Sequence, residues 1–382
     1  MQVRLDKRAR IIDEGGQAYP VDLLRDHTLK QIREKYTDEA GELTLEVGEE
    51  VPDDVVTIGG RVMFLRNTGK LCFTSLQDGF TESSNGERLQ VMLSKALVGE
   101  QALAAWKSDV DLGDFVWVKG FVARSRRGEL SVMATEWKMA SKALRPLPTL
   151  HKELGEETRV RRRYADLVAR EEARQMVRVR AAITRAIRTT LDELGFLEIE
   201  TPILQLVHGG AAARPFNTHL NAFDIDMSLR IALELYLKRA MVGGMDRVYE
   251  MGRVFRNEGI DSNHSAEFTM LEAYMSWGNQ FTIAEVIQQI IVRAADALGG
   301  RQIQTEQGVI DLDGQWEWVH VHPELSRRLG REITLDTPVE ELRAIAAEHD
   351  VEIDPAWPAG KIVMELFGEI VEPTLIQPTF VC

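Results

Sequence analysis

Cysteine is almost missing from this chain. Cys72 and Cys382 are its two cysteines in 382 residues, too few for a disulfide framework or a zinc cluster, and the plain reading is a reduced, cytoplasmic protein. No run of about 18 or more apolar residues occurs, so no segment reads as a membrane-spanning helix. The N-terminal stretch Met1-Gln-Val-Arg-Leu-Asp-Lys-Arg8 is charged and lacks the apolar core of a signal peptide. A phosphate-binding glycine loop and a βαβ rhythm are missing too, which argues against a parallel nucleotide-binding sheet. Excess positive charge is also lacking, since the net charge is −14. That does not exclude a nucleic-acid partner, because phosphate binding depends on local basic surface. Two basic clusters are present, Arg159 to Arg163 and Arg124 to Arg127. Taken alone, each reads as a solvated face or turn.

The remaining composition, 44% hydrophobic and 28% charged, is that of an ordinary globular protein long enough for two or three domains. Residues 1–54 read as a helical and irregular lead-in, a charged helix at 2–15 followed by a polar, acidic stretch without a core pattern. Residues 55–143 change to short strands, expected at 55–65, 71–76, 89–94, 115–123 and 129–137. A helical piece at 96–107 carries Ala96, Leu97, Leu103, Ala104 and Trp106 as its apolar residues. Three strands, a helix and two strands is the order of a five-stranded OB barrel. In 71–76, alternation puts Leu71, Phe73 and Ser75 on one face and Cys72, Thr74 and Leu76 on the other. Residues 144–169, opening on Leu144-Arg-Pro-Leu-Pro148, read as a linker.

The last region, 170–382, opens on a long helix. Its apolar stripe is Met176, Ile183, Ile187, Leu191 and Leu194, and Gly195 supplies a stop. Residues 196–202 then read as a strand ended by Pro202. The whole reads as α+β, an N-terminal barrel followed by an antiparallel sheet with flanking helices.

Arg247 to Gly259 and Glu267 to Trp277 read as two strands of a long hairpin. Parity in the second places Phe268, Met270, Glu272 and Tyr274 on one face, and Thr269, Leu271, Ala273, Met275 and Trp277 on the other. The second set suits a core. The first sets a phenyl ring, a thioether, a carboxylate and a phenol side by side. With Arg256 and Glu258 near, such a face can grip a phosphate or carboxylate, stack on a purine and receive an amine. On spacing alone, a hairpin with surface ion pairs accounts for the same residues.

Phe255-Arg-Asn-Glu-Gly259 followed by Glu267-Phe-Thr-Met-Leu-Glu272 resembles motif 2 of the class II lysyl-tRNA synthetases. Gly195-Phe-Leu-Glu-Ile-Glu-Thr-Pro202 resembles their motif 1. Gly209-Gly-Ala-Ala-Ala-Arg-Pro-Phe216 and Leu229-Arg-Ile-Ala-Leu-Glu-Leu-Tyr-Leu-Lys238 are similar to two segments that distinguish the lysine enzymes. The stretch from Gly60 to Asp78 looks like the family's anticodon-binding barrel, and the likeness runs from about Arg8 to the last residue.

The resemblance implies a lysine–tRNA ligase that activates L-lysine with ATP and Mg²⁺ and transfers it to lysine tRNA, as a homodimer with no membrane association. It implies that Arg256 is the catalytic arginine, bridging the amino-acid carboxylate and the ATP α-phosphate. Phe268 would stack on adenine, Glu258 would lie near its amino group, and His264 would reach the γ-phosphate. Gly210 and Glu234 would hold the α-ammonium of lysine, and Tyr274 would touch its ε-ammonium. In the barrel, Arg66, Phe73 and Gln90 match positions that grip and stack on anticodon bases.

Three departures stand near these positions: Leu233 where the family usually has proline, Ser228 where tyrosine is common, and Ser265-Ala266 in place of Asn-Pro. The family's pattern also continues past Thr379-Phe-Val-Cys382, into Mg²⁺ ligands, a carboxylate for the ε-ammonium and motif 3. The expectation is therefore a catalytic domain incomplete at its C-terminus, with no metal ligands of its own and little adenylation by residues 1–382 alone. Rival readings are a synthetase-like tRNA-binding protein, the synthetase module of a lipid-lysylating enzyme, and a protein-lysylating paralogue, which normally lacks the barrel.

Overall fold

A computed structural model describes residues 1–148, 154–261 and 263–382. Residues 149–153, which the sequence places in the linker, and Ser262 of the hairpin loop lie outside the described residues. The chain divides into two compact units, Met1–Arg180 and Ala181–Cys382.

In the first unit, five strands close a barrel: β1 (Glu50–Asn67), β2 (Leu71–Gln77), β3 (Arg88–Ser94), β4 (Phe115–Arg124) and β5 (Leu130–Ser141). Around the barrel the order is β1-β2-β3-β5-β4, with β3 and β5 parallel and the other neighbours antiparallel. This is the expected OB arrangement. The alternation seen in 71–76 is the burial pattern of β2, where Cys72, Thr74 and Leu76 are inside and Leu71, Phe73 and Ser75 half-exposed. β1 begins five residues earlier than expected.

Three sequence expectations are corrected here. The lead-in is not without core residues. After α1 (Gln2–Asp13) comes α2 (Leu29–Lys35), whose start is fixed by a capping box between Thr28 and Gln31. Its Leu29 and Ile32, with Tyr36 and Leu45 beyond it, are buried in the barrel core. The expected helix at 96–107 is two, α3 (Lys95–Val98) and α4 (Glu100–Asp109), broken at Gly99. Of its apolar residues Leu103 and Trp106 are buried, whereas Ala96, Leu97 and Ala104 face solvent. The stretch read as linker also holds two short helices, α5 (Glu156–Arg161) and α6 (Arg163–Ala169). Its arginines are partly spent locally, Arg161 on Glu157 and Arg163 on Asp166.

The unit boundary falls inside α7 (Glu171–Glu193). Within the second unit, Leu191 of this helix is buried and Ile187 packs beside it; Met176, the first residue of the expected stripe, belongs to the first unit and is exposed. The predicted strand at 196–202 shrinks to β6 (Leu197–Glu198). β7 (Leu204–Gln205), β8 (Asn217–Leu220) and β9 (Ile225–Leu229) form a small antiparallel sheet, and α8 (Glu234–Val242) follows.

The hairpin is β10 (Arg247–Phe255) and β11 (Glu267–Met275), paired from Arg247 opposite Met275 to Phe255 opposite Glu267, with β6 parallel on the far side of β10. Its two faces divide as parity predicts. Leu271, Ala273 and Met275 pack against Leu191 and against Val286 of α9 (Gln280–Asp296). Phe268, Met270 and Tyr274 pack with Leu233, Leu237, Val248 and Val254. Trp277 is the exception. Parity puts it on the core face, but the strand has ended, φ is 59°, and the side chain is 98% exposed.

Beyond α9 come the hairpin β12 (Gln302–Thr305) and β13 (Gly308–Asp311), then β14 (Glu317–Val319). Three helices follow, α10 (Val321–Leu329), α11 (Val339–Glu348) and α12 (Ala359–Ile370), with a core of their own. β15 (Thr379–Val381) pairs in parallel with β14. Among the described residues no helix is long and apolar enough to cross a membrane.

Candidate functional site

Arg256 stands just past the end of β10. Its backbone N–H donates to Ala266 O at 2.9 Å across the hairpin mouth. Its guanidinium lies 5.3 Å from the Phe268 ring centroid, and its Nε donates to Ile231 O at 3.4 Å. Ring and cation thus share one face, which leaves the guanidinium fork for an anion. Glu258 follows at the loop entrance and accepts a long 3.4 Å bond from the Arg214 N–H, while Asn257 N–H donates to Arg214 O at 2.8 Å. The 209–216 segment is thereby laid along the hairpin mouth.

The same segment brings Gly210 to Glu234. Gly210 has φ +89°, and a Cβ there would lie 2.9 Å from the Glu234 Cβ and 3.1 Å from the Ala232 Cβ. A left-handed backbone and a missing side chain are both needed for this approach. Glu234 opens α8. Its Oε1 receives Lys238 Nζ at 2.6 Å, and the same ammonium lies 5.7 Å from the Tyr274 ring centroid. The acceptors assigned to lysine therefore already face an ammonium group, one turn along α8.

The Tyr274 hydroxyl donates to Glu272 Oε2 at 2.7 Å, and Leu233 N–H donates to Glu272 Oε1 at 2.9 Å. Burial first, then the bond to Glu272, hold the Tyr274 phenol well above its ordinary value. It stays a neutral donor and acceptor throughout the physiological range. Parity in the sequence puts Glu272 on this face, and the bonds to Leu233 and Tyr274 give it a task that spacing alone does not show. Its odd position among apolar neighbours was the signal.

His264 does not join this group. It is exposed, and its Nδ1 is 2.8 Å from Asp261 Oδ2 within the loop. Backbone donation from Asn263, then the histidine, lower the Asp261 carboxyl. Among the described residues no three His, Cys, Asp or Glu side chains converge to hold a metal ion, so the residues present do not make a Mg²⁺ set.

In the barrel, Arg66, Phe73 and Gln90 do come together. Arg66 is opposite Phe73 in the β1–β2 ladder, Ser75 of β2 is opposite Gln90, and all three line a groove of about 820 Å³. Gln90 Nε2 donates to Ser131 Oγ at 2.8 Å, which orients its amide. The β4–β5 turn adds Arg126 and Arg127, both exposed, whereas Arg124 is spent on Gly128 O and Leu45 O. A half-exposed phenyl ring with arginines around it is the composition of a single-strand nucleic-acid surface.

Known proteins carry the same two parts in the same order. Residues 56–140 match the OB-fold nucleic acid binding domain, and residues 155–370 match the tRNA synthetases class II (D, K and N). The chain is 53% identical over its whole length to a lysine–tRNA ligase of Kineococcus radiotolerans, covering 74% of that protein. It belongs to the lysine–tRNA ligase family of class II synthetases. A lysine–tRNA ligase 1 of Mycobacterium tuberculosis is 52% identical with the same coverage. A lysylphosphatidylglycerol biosynthesis bifunctional protein of Rhodococcus jostii is 39% identical across the chain, which spans 33% of it.

Proposed function

We propose that this chain uses the Arg256 face to bind ATP and L-lysine for lysyl-adenylate formation, and the barrel groove to bind the anticodon of lysine tRNA, in the cytoplasm. The observation that carries the reading is the Arg256 guanidinium held over Phe268, on the strand face that further along carries the amine acceptors Glu272 and Tyr274, with Glu234 of α8 against the same ammonium as Tyr274.

The lysine carboxylate attacks the α-phosphorus of ATP, a P–O bond forms to it, and the bond to the leaving pyrophosphate breaks. Arg256 holds the carboxylate and the α-phosphate together and balances the charge that builds on the phosphoryl oxygens. Phe268 supplies a stacking face for adenine, and Glu258 would receive the exocyclic amine. Glu234 with Gly210 receives the α-ammonium, displacing Lys238 Nζ, and Tyr274 meets the ε-ammonium with its phenol kept neutral. His264, exposed and on a loop, reaches the outer phosphates only by leaving Asp261. No side-chain nucleophile is needed, because the chemistry asks for positioning and charge balance. Mg²⁺ would balance phosphate charge, and no step is assigned to it through the residues described.

In the barrel, Phe73 provides the stacking ring, while Arg66 and Gln90 contact phosphate and base edge. The chain works as a homodimer through the motif 1 region, where Leu197, Ile203, Leu204, Leu206 and Val207 are all exposed apolar residues.

The experiment is amino-acid-dependent exchange of pyrophosphate into ATP by the complete gene product, run with each of the twenty amino acids. Exchange with lysine alone is expected. Exchange with another amino acid, or none with lysine, overturns the reading.

A further inference from the structure

Arg230 and Glu250 are each 3% exposed, and their side chains form an ion pair at 2.6 Å in the second unit. We infer that this pair makes Arg230 a positioning residue that sets where Arg256 stands. The inference rests on the reading of Arg256 as the phosphate- and carboxylate-binding group.

The Arg230 guanidinium divides its donors among three places. Nη1 donates to Glu250 Oε1 at 2.6 Å and to Thr201 O at 3.0 Å, and Nε donates to Arg253 O at 2.8 Å. The second oxygen of Glu250 accepts the Thr201 hydroxyl at 2.6 Å. The backbone of Arg230 is tied as well. Its N–H donates to Ile203 O at 2.9 Å and its carbonyl accepts Phe255 N–H at 2.9 Å. The next carbonyl, Ile231 O, accepts Arg256 Nε. The Arg230 side chain thus joins the segment after β6 to β10 at Glu250 and Arg253, while the Arg230 carbonyl and that of Ile231 hold Phe255 and the Arg256 guanidinium.

The pair also has no slack. A Cβ on Gly252 would collide with Arg230 Nη2 and come within 3.0 Å of Glu250 Oε1. A buried ion pair is not needed for stability as such, since apolar residues of like volume replace such pairs without loss. Its use here is register: a planar fork with fixed donor directions specifies one placement of the strand end, which neither a lysine nor an apolar pair does.

The test uses Arg230→Lys and Gly252→Ala in the complete gene product. The first keeps the charge and loses the fork, and the second keeps every donor and displaces the fork. Pyrophosphate exchange is measured for kcat and for the KM of ATP and lysine, with thermal unfolding alongside. A displacement of about 1 Å at a reacting group costs on the order of 100-fold in rate. A kcat loss of about 10- to 100-fold is therefore expected in both variants, with the KM for lysine, whose carboxylate Arg256 holds, rising by less than that factor. In an Arg256→Lys background, Arg230→Lys should cost nothing further, because it acts through Arg256.

An unchanged kcat in either folded variant overturns the inference, as do losses that multiply in the double variant. If both variants unfold, Arg230→Met with Glu250→Leu, an apolar pair of the kind that often replaces a buried ion pair without loss of stability, is the variant to measure. That apolar pair should keep the kcat loss, and full kcat from it overturns the proposal. Arg256→Lys alone separates the two levels. Undiminished exchange in it removes the reading of Arg256 and this inference together. A crippled Arg256→Lys beside a fully active Arg230→Lys removes only the inference.

Discussion

The backbone N–H of Leu233 donates to Glu272 Oε1 at 2.9 Å, and the other oxygen of that carboxylate accepts the Tyr274 hydroxyl. The resemblance puts proline where Leu233 stands, and proline has no N–H to give. In this chain a backbone donor therefore occupies an oxygen that would otherwise be open to a ligand ammonium. Leu233 is the N-cap residue just before α8, so proline there removes no hydrogen bond from within the helix. Leu233→Pro should free Glu272 Oε1 and lower the KM for lysine by about 3-fold, the worth of one modest hydrogen bond. The measurement is pyrophosphate exchange over a lysine titration. A KM that stays put or rises in a folded variant contradicts this role for the Leu233 N–H.

Phe73 is half-exposed and lines the barrel groove with Arg66 and Gln90. Phe73→Ala should weaken binding of lysine tRNA by about 1–3 kcal/mol, the usual worth of one base–aromatic stack. Exchange of pyrophosphate, which needs no tRNA, should be untouched. Filter binding that finds equal tRNA affinity would show the groove has another use.

The exposed apolar residues between Leu197 and Val207 predict a dimer at micromolar concentration. Leu206→Glu, at a side chain 68% exposed, should shift sedimentation towards monomer. A wild-type protein that sediments as a monomer at that concentration removes the interface from the account.

Of the three tyrosines whose phenols are raised, Tyr36, Tyr249 and Tyr274, the two in the second unit give a pH signature beside the candidate site. For each, burial is the largest cause, and neighbouring carboxylates add to it: Asp192 and Glu198 for Tyr249, Glu272 and Glu234 for Tyr274. A raised phenol means the folded state keeps its proton after the unfolded chain has lost it near pH ~10. The sign follows: this stabilisation is fully present below pH ~10 and is lost as pH climbs towards the folded values. Urea unfolding at successive pH values should show stability falling above pH ~10, and falling less steeply in Tyr274→Phe. Parallel curves for the two proteins would mean that Tyr274 ionises normally.

The barrel was readable because its strands alternate. In Leu71-Cys-Phe-Thr-Ser-Leu76 period two alone separates the core face from the groove face, and the structure keeps that division. The helix over Leu29 and Ile32 was not readable. It has two apolar residues in seven, and its partners are barrel residues distant in the chain. Parity sorted the β11 side chains correctly until Trp277, where the backbone leaves the strand and alternation no longer has meaning. At the site, motif resemblance named Arg256 and Phe268, and the structure stacks them. The Arg230–Glu250 brace was invisible, because 20 residues separate two charges whose pairing depends on the fold. The split of α3 from α4 shows the same limit at short range, since a single glycine inside an apolar pattern did not outweigh the pattern.

The most direct test of the Arg256 face is binding of a non-hydrolysable lysyl-adenylate mimic, the lysyl-sulfamoyl adenosine, by calorimetry on wild type and Arg256→Ala. Losing one preorganised charge contact of this kind costs about 3 kcal/mol, or roughly 100-fold in affinity. The account predicts tight binding by the wild type and a loss of about that size in the variant, with thermal stability kept. Equal binding by the two proteins would contradict it.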